Sequence, residues 1–403
     1  MNKKKILVVS AVFPPEPVTS ATLNYDLALA LSKEFDVTVI NPRPSRPKGF
    51  DFKNTPAVDT NTFHQIVTDT YVQPKSSFWG RMRESISFGN ASVKYIKKHH
   101  DEISFIYNDG WHLFGLYQVA KTCVKYRIPY IVPIQDIYPE SLLTKLPNRL
   151  GIHRLVKALL GWIDRYYIRH AAAVRTISES MADYLSKTRG VSRDKFLVIA
   201  NWQKDEDFID WKTTYRKNGK TVFMFVGNNN RQANVELMIR SYHKADLRNA
   251  EYRIMGGGNE KLACQKLVKK LGHTDIVFGD VPVGAVAKVQ KEADVMVLAL
   301  KTGTGTQGVP SKLTAYMMSG KPVIASMESE ADAAKMIIKA EAGLVTPADD
   351  ETALAESFRK MALLNVNTLL SMGNNSRKYA EMHLSRESNL QLLTTKIKDI
   401  IRQ

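Results

Sequence analysis

The residues best suited to chemistry gather in one short run, 303–326, which reads GTGTQGVPSKLTAYMMSGKPVIAS. Gly303, Gly305 and Gly308 would let the backbone come close to a ligand. Pro310 suits the first position of a helix, where its missing N–H costs nothing. The N–H groups of Ser311, Lys312 and Leu313 would then open the helix unpaired, at the positive end of its dipole, and Lys312 adds a full charge. Such a cradle suits a diphosphate; an ordinary structural loop is the alternative. Two further stretches have the same character. FVGNNNRQAN places Gly227, Asn228 and Arg231 behind one apolar run, and IMGGGNE places Gly256, Gly257 and Gly258 behind another. Neither fits the strand–GxGxxG–helix fingerprint of dinucleotide-binding proteins. Three glycine-bearing strand ends at one crevice would nevertheless be an unusual coincidence.

The elements that must position these loops follow from the hydrophobic pattern. Short apolar strands are expected at 6–13, 36–42, 105–109, 129–136, 172–178 and 196–201, and helices at 19–35, 113–125, 150–170 and 179–187. In the first helix Leu23, Leu27, Ala30 and Leu31 share a face, with Thr19 or Ser20 as the cap. After a polar stretch at 202–220 the alternation restarts. Strands are expected at 221–227, 251–256, 275–280, 293–300, 321–326 and 342–347, with helices between them and one or two amphipathic helices over 375–402. Strand–helix alternation predicts parallel sheets covered on both faces. The expected division is 1–204, a linker at 205–219, a second domain at 220–385, and a last helix, 386–403, that packs back on the first domain. Ligands of such α/β sheets bind at the carboxyl ends of the strands.

Composition narrows the functional classes. The 403 residues, 44% of them hydrophobic, suffice for two domains with sizeable cores. Cys123 and Cys264 lie in unrelated segments and read as two reduced thiols rather than a disulfide or metal pair. The formal charge is +17. It is concentrated early: residues 1–205 hold 29 Lys and Arg against 18 Asp and Glu, the remainder 28 against 22. A basic half points to a phosphate-rich partner. No nucleic-acid-binding motif is visible, so nucleic acid ranks last among such partners. Three lysines before an apolar run at the N-terminus imitate a secretory signal, but Pro14-Pro15 ends the run early and a first buried strand is the better reading. No apolar stretch approaches the length of a membrane span.

The motifs taken in order resemble those of family 4 glycosyltransferases over nearly the whole chain. They are ILVVSAVFPPE at the start, QDIYPES at 135–141, RTISESMADYL through VIANW at 175–202, FVGNNNRQANVELMIRSY, and GVPSKLTAYMMSGKPVIAS. The last resembles members that extend bacterial O-antigen or capsule polysaccharides. The resemblance implies the GT-B fold, two Rossmann-like doubly wound domains facing each other across a cleft. It implies retaining transfer of a sugar from a nucleotide-sugar, expected to be UDP-linked, to a saccharide on a polyprenyl diphosphate at the cytoplasmic side of the inner membrane. Donor contacts would come from Gly227, Asn228, Arg231, Gly256, Gly257, Gly258, Val281, Gly308, Pro310, Ser311 and Lys312. Asp136, Gln307 and Glu16 are the expected catalytic residues. Val18, Thr19, Ser20, Asn108, Asp109 and His112 are the expected acceptor contacts. No cofactor is expected. No carboxylate pair sits beside the cradle, so Arg231, Lys312 and the helix N-terminus would neutralise the diphosphate without metal.

Two departures matter. The family often carries two glutamates spaced Glu-x7-Glu across this loop and helix, one for the sugar and one for the ribose. Here those positions are Gln307 and Ala315, so ribose recognition must come from elsewhere or be weaker. The Gly-Gly often found after Pro-Pro-Glu is replaced by PVTSAT. A sugar-nucleotide epimerase of the same fold and a catalytically dead binding module therefore remain open beside the transferase. Finally, 73–100 mixes Phe78, Trp79, Ile86, Phe88, Tyr95 and Ile96 with Lys75, Arg81, Arg83, Lys94, Lys97 and Lys98. It is expected to rest on an anionic membrane, with an ordinary surface helix as the alternative.

Overall fold

The computed structural model describes residues 3–46, 52, 61–73, 78–111, 113–140, 152–212, 215–216, 219–282, 284–303 and 309–403, with the side chains of 78, 152–157 and 159 excepted. The chain divides into two compact units, Met1–Ile199 with Leu390–Gln403, and Ala200–Asn389.

The first unit runs β1 (Lys5–Ser10), α1 (Thr19–Ser32), β2 (Asp36–Pro42), β3 (His64–Thr68), α2 (Phe78–His99), β4 (Ile103–Asp109), α3 (Phe114–Tyr126), β5 (Tyr130–Ile134), α4 (Ile152–His170), β6 (Ala173–Thr176), α5 (Glu179–Arg189) and β7 (Phe196–Val198). Its seven strands are parallel in the order β3-β2-β1-β4-β5-β6-β7. The central strand β1 is solidly apolar because helices cover both faces; Ile6 to Val9 are all inaccessible. The half-exposed edge strand β3 carries too weak an alternation to be expected from its sequence. Helix α1 begins at Thr19 as expected, but Val18 is its cap residue and no side chain bonds the end. In contrast, Ser178 caps α5, its Oγ accepting from Met181 N at 3.2 Å.

The segment 73–100 is corrected in part. Residues 74–77 lie outside the described structure. Phe88 and Ile96 are 1% and 0% exposed and belong to the core with Leu116, Val119 and Ile168. They are the inward stripe of α2 and cannot dip into a bilayer. Trp79 points out, at 70% exposure.

The second unit runs β8 (Thr221–Val226), α6 (Val235–Ala245), β9 (Ala250–Met255), α7 (Lys261–Leu271), β10 (Ile276–Gly279), α8 (Val286–Lys291), β11 (Val295–Ala299), α9 (Ser311–Met318), β12 (Val323–Ser326), α10 (Asp332–Lys339), β13 (Gly343–Thr346), α11 (Glu351–Leu363) and α12 (Val366–His383). Its six parallel strands are ordered β10-β9-β8-β11-β12-β13. The stretch expected as a linker is largely part of this unit. Phe208 and Tyr215 are buried, and Tyr215 donates its hydroxyl to Gly320 O at 3.3 Å. Aromatic side chains dispersed in a polar segment have no period, which is why they read as a connection.

The last helix, α13 (Arg386–Arg402), starts in the second unit and belongs to the first from Leu390 onward. There Lys398 pairs with Glu34, and Lys4 Nζ donates to Ile401 O at 3.1 Å.

Candidate active site

The strand ends of the second unit converge as the glycines require. Gly227 follows β8 and Gly256 follows β9. The ladder continues past the strands: Gly227 N donates to Met255 O at 2.9 Å, Gly256 N to Gly279 O at 2.8 Å, and Asn229 N to Gly257 O at 2.7 Å. Gly256 has φ +121°, and a Cβ there would stand 2.3 Å from Gly227 O. A Cβ on Gly227 would stand 2.1 Å from Lys312 Cε. Glycine is needed at both places because another group occupies the space. Gly257 has open space in front of it, and the Asn228 carboxamide lies against Gly258.

Helix α9 delivers Lys312 to this floor. Tyr316 fixes the helix to β8, its hydroxyl donating to Val226 O and accepting from Val226 N, each at 2.9 Å. Arg377 donates to Met318 O and, at 3.1 Å, to Phe208 O. Below it, Lys321 donates to Lys291 O at 2.9 Å and Ala293 O at 2.7 Å, and burial pulls its ammonium down to about 7. The start of the helix differs from expectation by one residue. Pro310 is the cap rather than the first helical residue, and Leu313 N already bonds its carbonyl at 2.9 Å. The amides of Ser311 and Lys312 remain open among the described residues.

The Lys312 side chain lies across Gly227, with Nζ 5.2 Å from the Phe225 ring centroid. Burial lowers its pKa. Among the described residues no carboxylate pairs with it. A partly desolvated ammonium beside open amides is arranged to receive an anion. Arg231 is exposed, in a one-turn helix capped by Asn230, on the lining of a cavity of about 230 Å³ with Asn234, Glu260 and Lys301. Val281 is half-buried two residues beyond β10. Gly305, Gln307 and Gly308 lie outside the described residues. Ala315 is buried in the core.

In the first unit the candidates separate into anchors and accessible groups. Glu16 is an anchor. Its carboxylate accepts from Phe13 N, Ser45 N and Arg46 N at 3.2, 2.8 and 2.9 Å and is 4% exposed. That pins two loops together. Asn108 is wholly buried and donates to Leu116 O at 3.2 Å. Asp109 is half-exposed at the end of β4. Its Oδ2 accepts from Asn24 Nδ2 at 2.7 Å, and Asn24 is itself held to Ser10 Oγ at 2.7 Å. Burial raises the Asp109 carboxyl to about 6, opposed by Asn24 and by the charge of Arg175. His112 lies outside the described residues. Val18 and Ser20 are half-buried and Thr19 exposed, and Ser20 Oγ donates to Gln135 Oε1 at 3.3 Å.

Asp136 is exposed just beyond β5. The loop presenting it is clamped by a network whose key residue, Arg189, the motif reading passed over. Arg189 binds Glu140 Oε2 at 2.8 Å, Tyr138 O at 2.7 Å and the buried Asp164 at 2.5 Å. An arginine that ends a helix just before Gly190 looks like a solvated terminal charge, so no signal distinguished it. Arg175 and Asn24 did leave one: each is a polar residue inside an apolar element. The chain also holds an Asp-x-Asp triplet at 205–207 that the motif reading overlooked. Asp205 accepts from Arg386 N and Glu387 N, both at 3.0 Å, so it caps α13.

Two doubly wound parallel-sheet units of this kind are the architecture called GT-B. Residues 21–202 match the family described as glycosyl transferase 4-like domain, and residues 207–379 that of glycosyl transferases group 1. The two models together span most of the chain, which is a member of the glycosyltransferases, and its general activity is glycosyl transfer. It is 23% identical to the probable glycosyltransferase WbjE of Pseudomonas aeruginosa over 294 residues, 68% of this chain and 69% of that one. A glycosyltransferase from Rickettsia africae superposes with a TM-score of 0.72 at 13% identity, covering 100% of both chains. Anabaena HepE, solved with UDP and glucose, superposes with a TM-score of 0.67 at 14% identity, covering 98% of this chain and 100% of that one.

Proposed function

We propose that this chain moves a sugar, with retention, from a UDP-sugar to a saccharide carried on polyprenyl diphosphate, in the assembly of a bacterial surface polysaccharide such as O-antigen or capsule. It works without metal on the cytoplasmic side of the inner membrane, as a peripheral protein. The observation that carries the donor reading is Lys312, half-buried across Gly227 beside the amides of Ser311 and Lys312. HepE, solved with UDP and glucose, supports the choice of nucleotide. In the transfer step the bond between the anomeric carbon and the donor phosphate breaks while the acceptor oxygen bonds that carbon and passes its proton to the departing phosphate oxygen. The charge that grows is on the departing diphosphate, so the cation and amides placed there lower the barrier. Gln307 would bond the sugar, and Asp136 and Asp109 would meet the acceptor.

A panel of sugar nucleotides in a thermal-shift assay tests this. A donor that binds the folded state raises the melting temperature, and UDP-sugars should do so with EDTA present. A shift only with other nucleotides, or only with added magnesium, refutes the UDP assignment or the metal independence respectively. Ala315 favours a second reading, a donor-binding protein without turnover, because a buried methyl cannot hold the ribose. Slow release of UDP from the donor that binds, in the absence of acceptor, counts against it.

A further inference from the structure

Helices α2, α3 and α4 line one face of the first sheet. The links β3–β4, β4–β5, β5–β6 and β6–β7 all advance across the sheet in one direction, and right-handed crossovers place their helices on one face; α5, the last of them, closes that face at its β7 edge and carries the exposed acids Glu179 and Asp183, both paired with Arg193. The charges of α2, α3 and α4 are one-sided. There are five Lys or Arg in α2, two in α3 and four in α4, against a single acid in α2, none in α3 and a single acid in α4. Neither acid reaches the surface. Glu84 is 3% exposed and pairs with Arg46 at 2.9 Å; Asp164 is 1% exposed and pairs with Arg189 at 2.5 Å. The outward stripes are regular. Trp79, Arg83, Asn90, Lys94 and Lys97 recur along α2, Lys121, Val124 and Lys125 along α3, and Trp162, Arg165 and Arg169 along α4, all exposed. Trp162 is 59% exposed and leans on Tyr117 of α3, ring centroids 5.5 Å apart. The chain's overall basicity does not explain this. Helix α1, reached by the link that advances the opposite way, has no Lys or Arg at all.

We infer that this three-helix face docks on an anionic lipid surface, with its cations at the headgroups and Trp79 and Trp162 in the interface. Exposed tryptophan beside basic residues is the composition that rests at a bilayer boundary. The stretch formed by α2, α3 and α4 exposes no acid, the exposed Glu179 and Asp183 of α5 being paired with Arg193, so it gains affinity from anionic lipid with every basic residue it presents. The inference rests on the proposed lipid-linked acceptor for its biological sense, but its geometry stands without it. It also moves the contact from 73–100 alone to three elements, with α4 contributing as much as α2. Among the described residues no helix is long and apolar enough to cross a membrane, so the contact is made from one side.

The test is flotation of the full chain with phosphatidylglycerol vesicles, with phosphatidylcholine vesicles as the neutral control. The protein should float with the first and stay behind with the second, and salt should weaken the binding without abolishing it. Each basic residue near such a surface is worth about fivefold in partitioning, so Arg165→Gln with Arg169→Gln should lower it about 25-fold. Trp162→Ala should remove much of the salt-resistant part. The melting-temperature shift with UDP, read on each variant, should be unchanged, which shows that the variants fold. No flotation at low salt, equal flotation with neutral vesicles, or an unaffected Arg165/Arg169 variant overturns the inference. Displacement from the vesicles by RNA at equal charge would assign the face to nucleic acid instead. Vesicle binding without any UDP shift would leave the face standing and sink the donor reading.

Discussion

Lys312→Met separates binding from stability, because the two should move in opposite directions. Methionine keeps the stem over Gly227 and against Phe225 and removes only the charge. A charge-assisted contact to a diphosphate is worth about 1.5–3 kcal/mol, so UDP should bind about 10- to 150-fold more weakly by titration calorimetry. The open amides at positions 311 and 312 remain, so binding should persist at that lower level. Without ligand the sign reverses. Burial lowers the Lys312 pKa, so the folded state holds its proton less well than the unfolded chain, and the buried charge costs stability until rising pH removes it. The free Met variant should therefore melt at or above the wild type at neutral pH, and the gap should close as pH rises. Wild-type UDP affinity should fall over the same alkaline range as the ammonium is lost. Unchanged UDP affinity in the variant refutes the cradle. A variant that loses both affinity and melting temperature shows that Lys312 is structural.

Gly256→Ala must clear a backbone carbonyl at 2.3 Å, whereas Gly227→Ala is strained by its φ of +154° and must push aside the end of Lys312; thermal melts should show both destabilised, the first more, and the second should also weaken UDP binding as Lys312→Met does. Asp109→Asn keeps the bond from Asn24 and removes a carboxyl whose pKa is raised to about 6. A raised acid costs stability as pH climbs from about 4 through 6, so the variant should lack the loss of melting temperature that the wild type shows over that window, and sugar transfer should fall while UDP affinity holds. Arg189→Ala strands Asp164 and Glu140 together, and breaking a buried pair costs about 3–5 kcal/mol; a melting temperature unchanged from wild type would show that the network is slack.

What the sequence revealed and what it hid follow from the range of the interactions involved. Both parallel sheets were legible because buried strands such as 6–9 and 295–299 are continuous apolar runs between turn residues. The cradle was legible at Gly227, Gly256 and Lys312 because glycine at a strand end and lysine at a helix start have local reasons to be there. The anchoring contacts of Glu16 were not legible because its partners, Ser45 and Arg46, come from a loop that no local pattern ties to it. Phe88 was misjudged because a helix with aromatics among lysines looks the same whichever stripe turns inward. Arg189 reaches Asp164 and Asn24 reaches Asp109, 25 and 85 positions away, distances at which one sequence carries no pairing information.

The first unit is not finished when its first 199 residues have been made. Residues 390–403 belong to it, and the 190 residues of the second unit intervene. At about 5–20 residues per second, synthesis of that insert takes on the order of 10 to 40 s, during which the seat later covered by Leu393 and Ile397 stands open. The second unit, by contrast, is continuous and can close as soon as it emerges. Assembly order is thus inverted relative to chain order: the half made first is completed last. A ribosome-bound chain stalled before residue 390 should expose apolar surface in the first unit that the finished protein hides, and a chaperone that reads such surface would have its opportunity only in that interval.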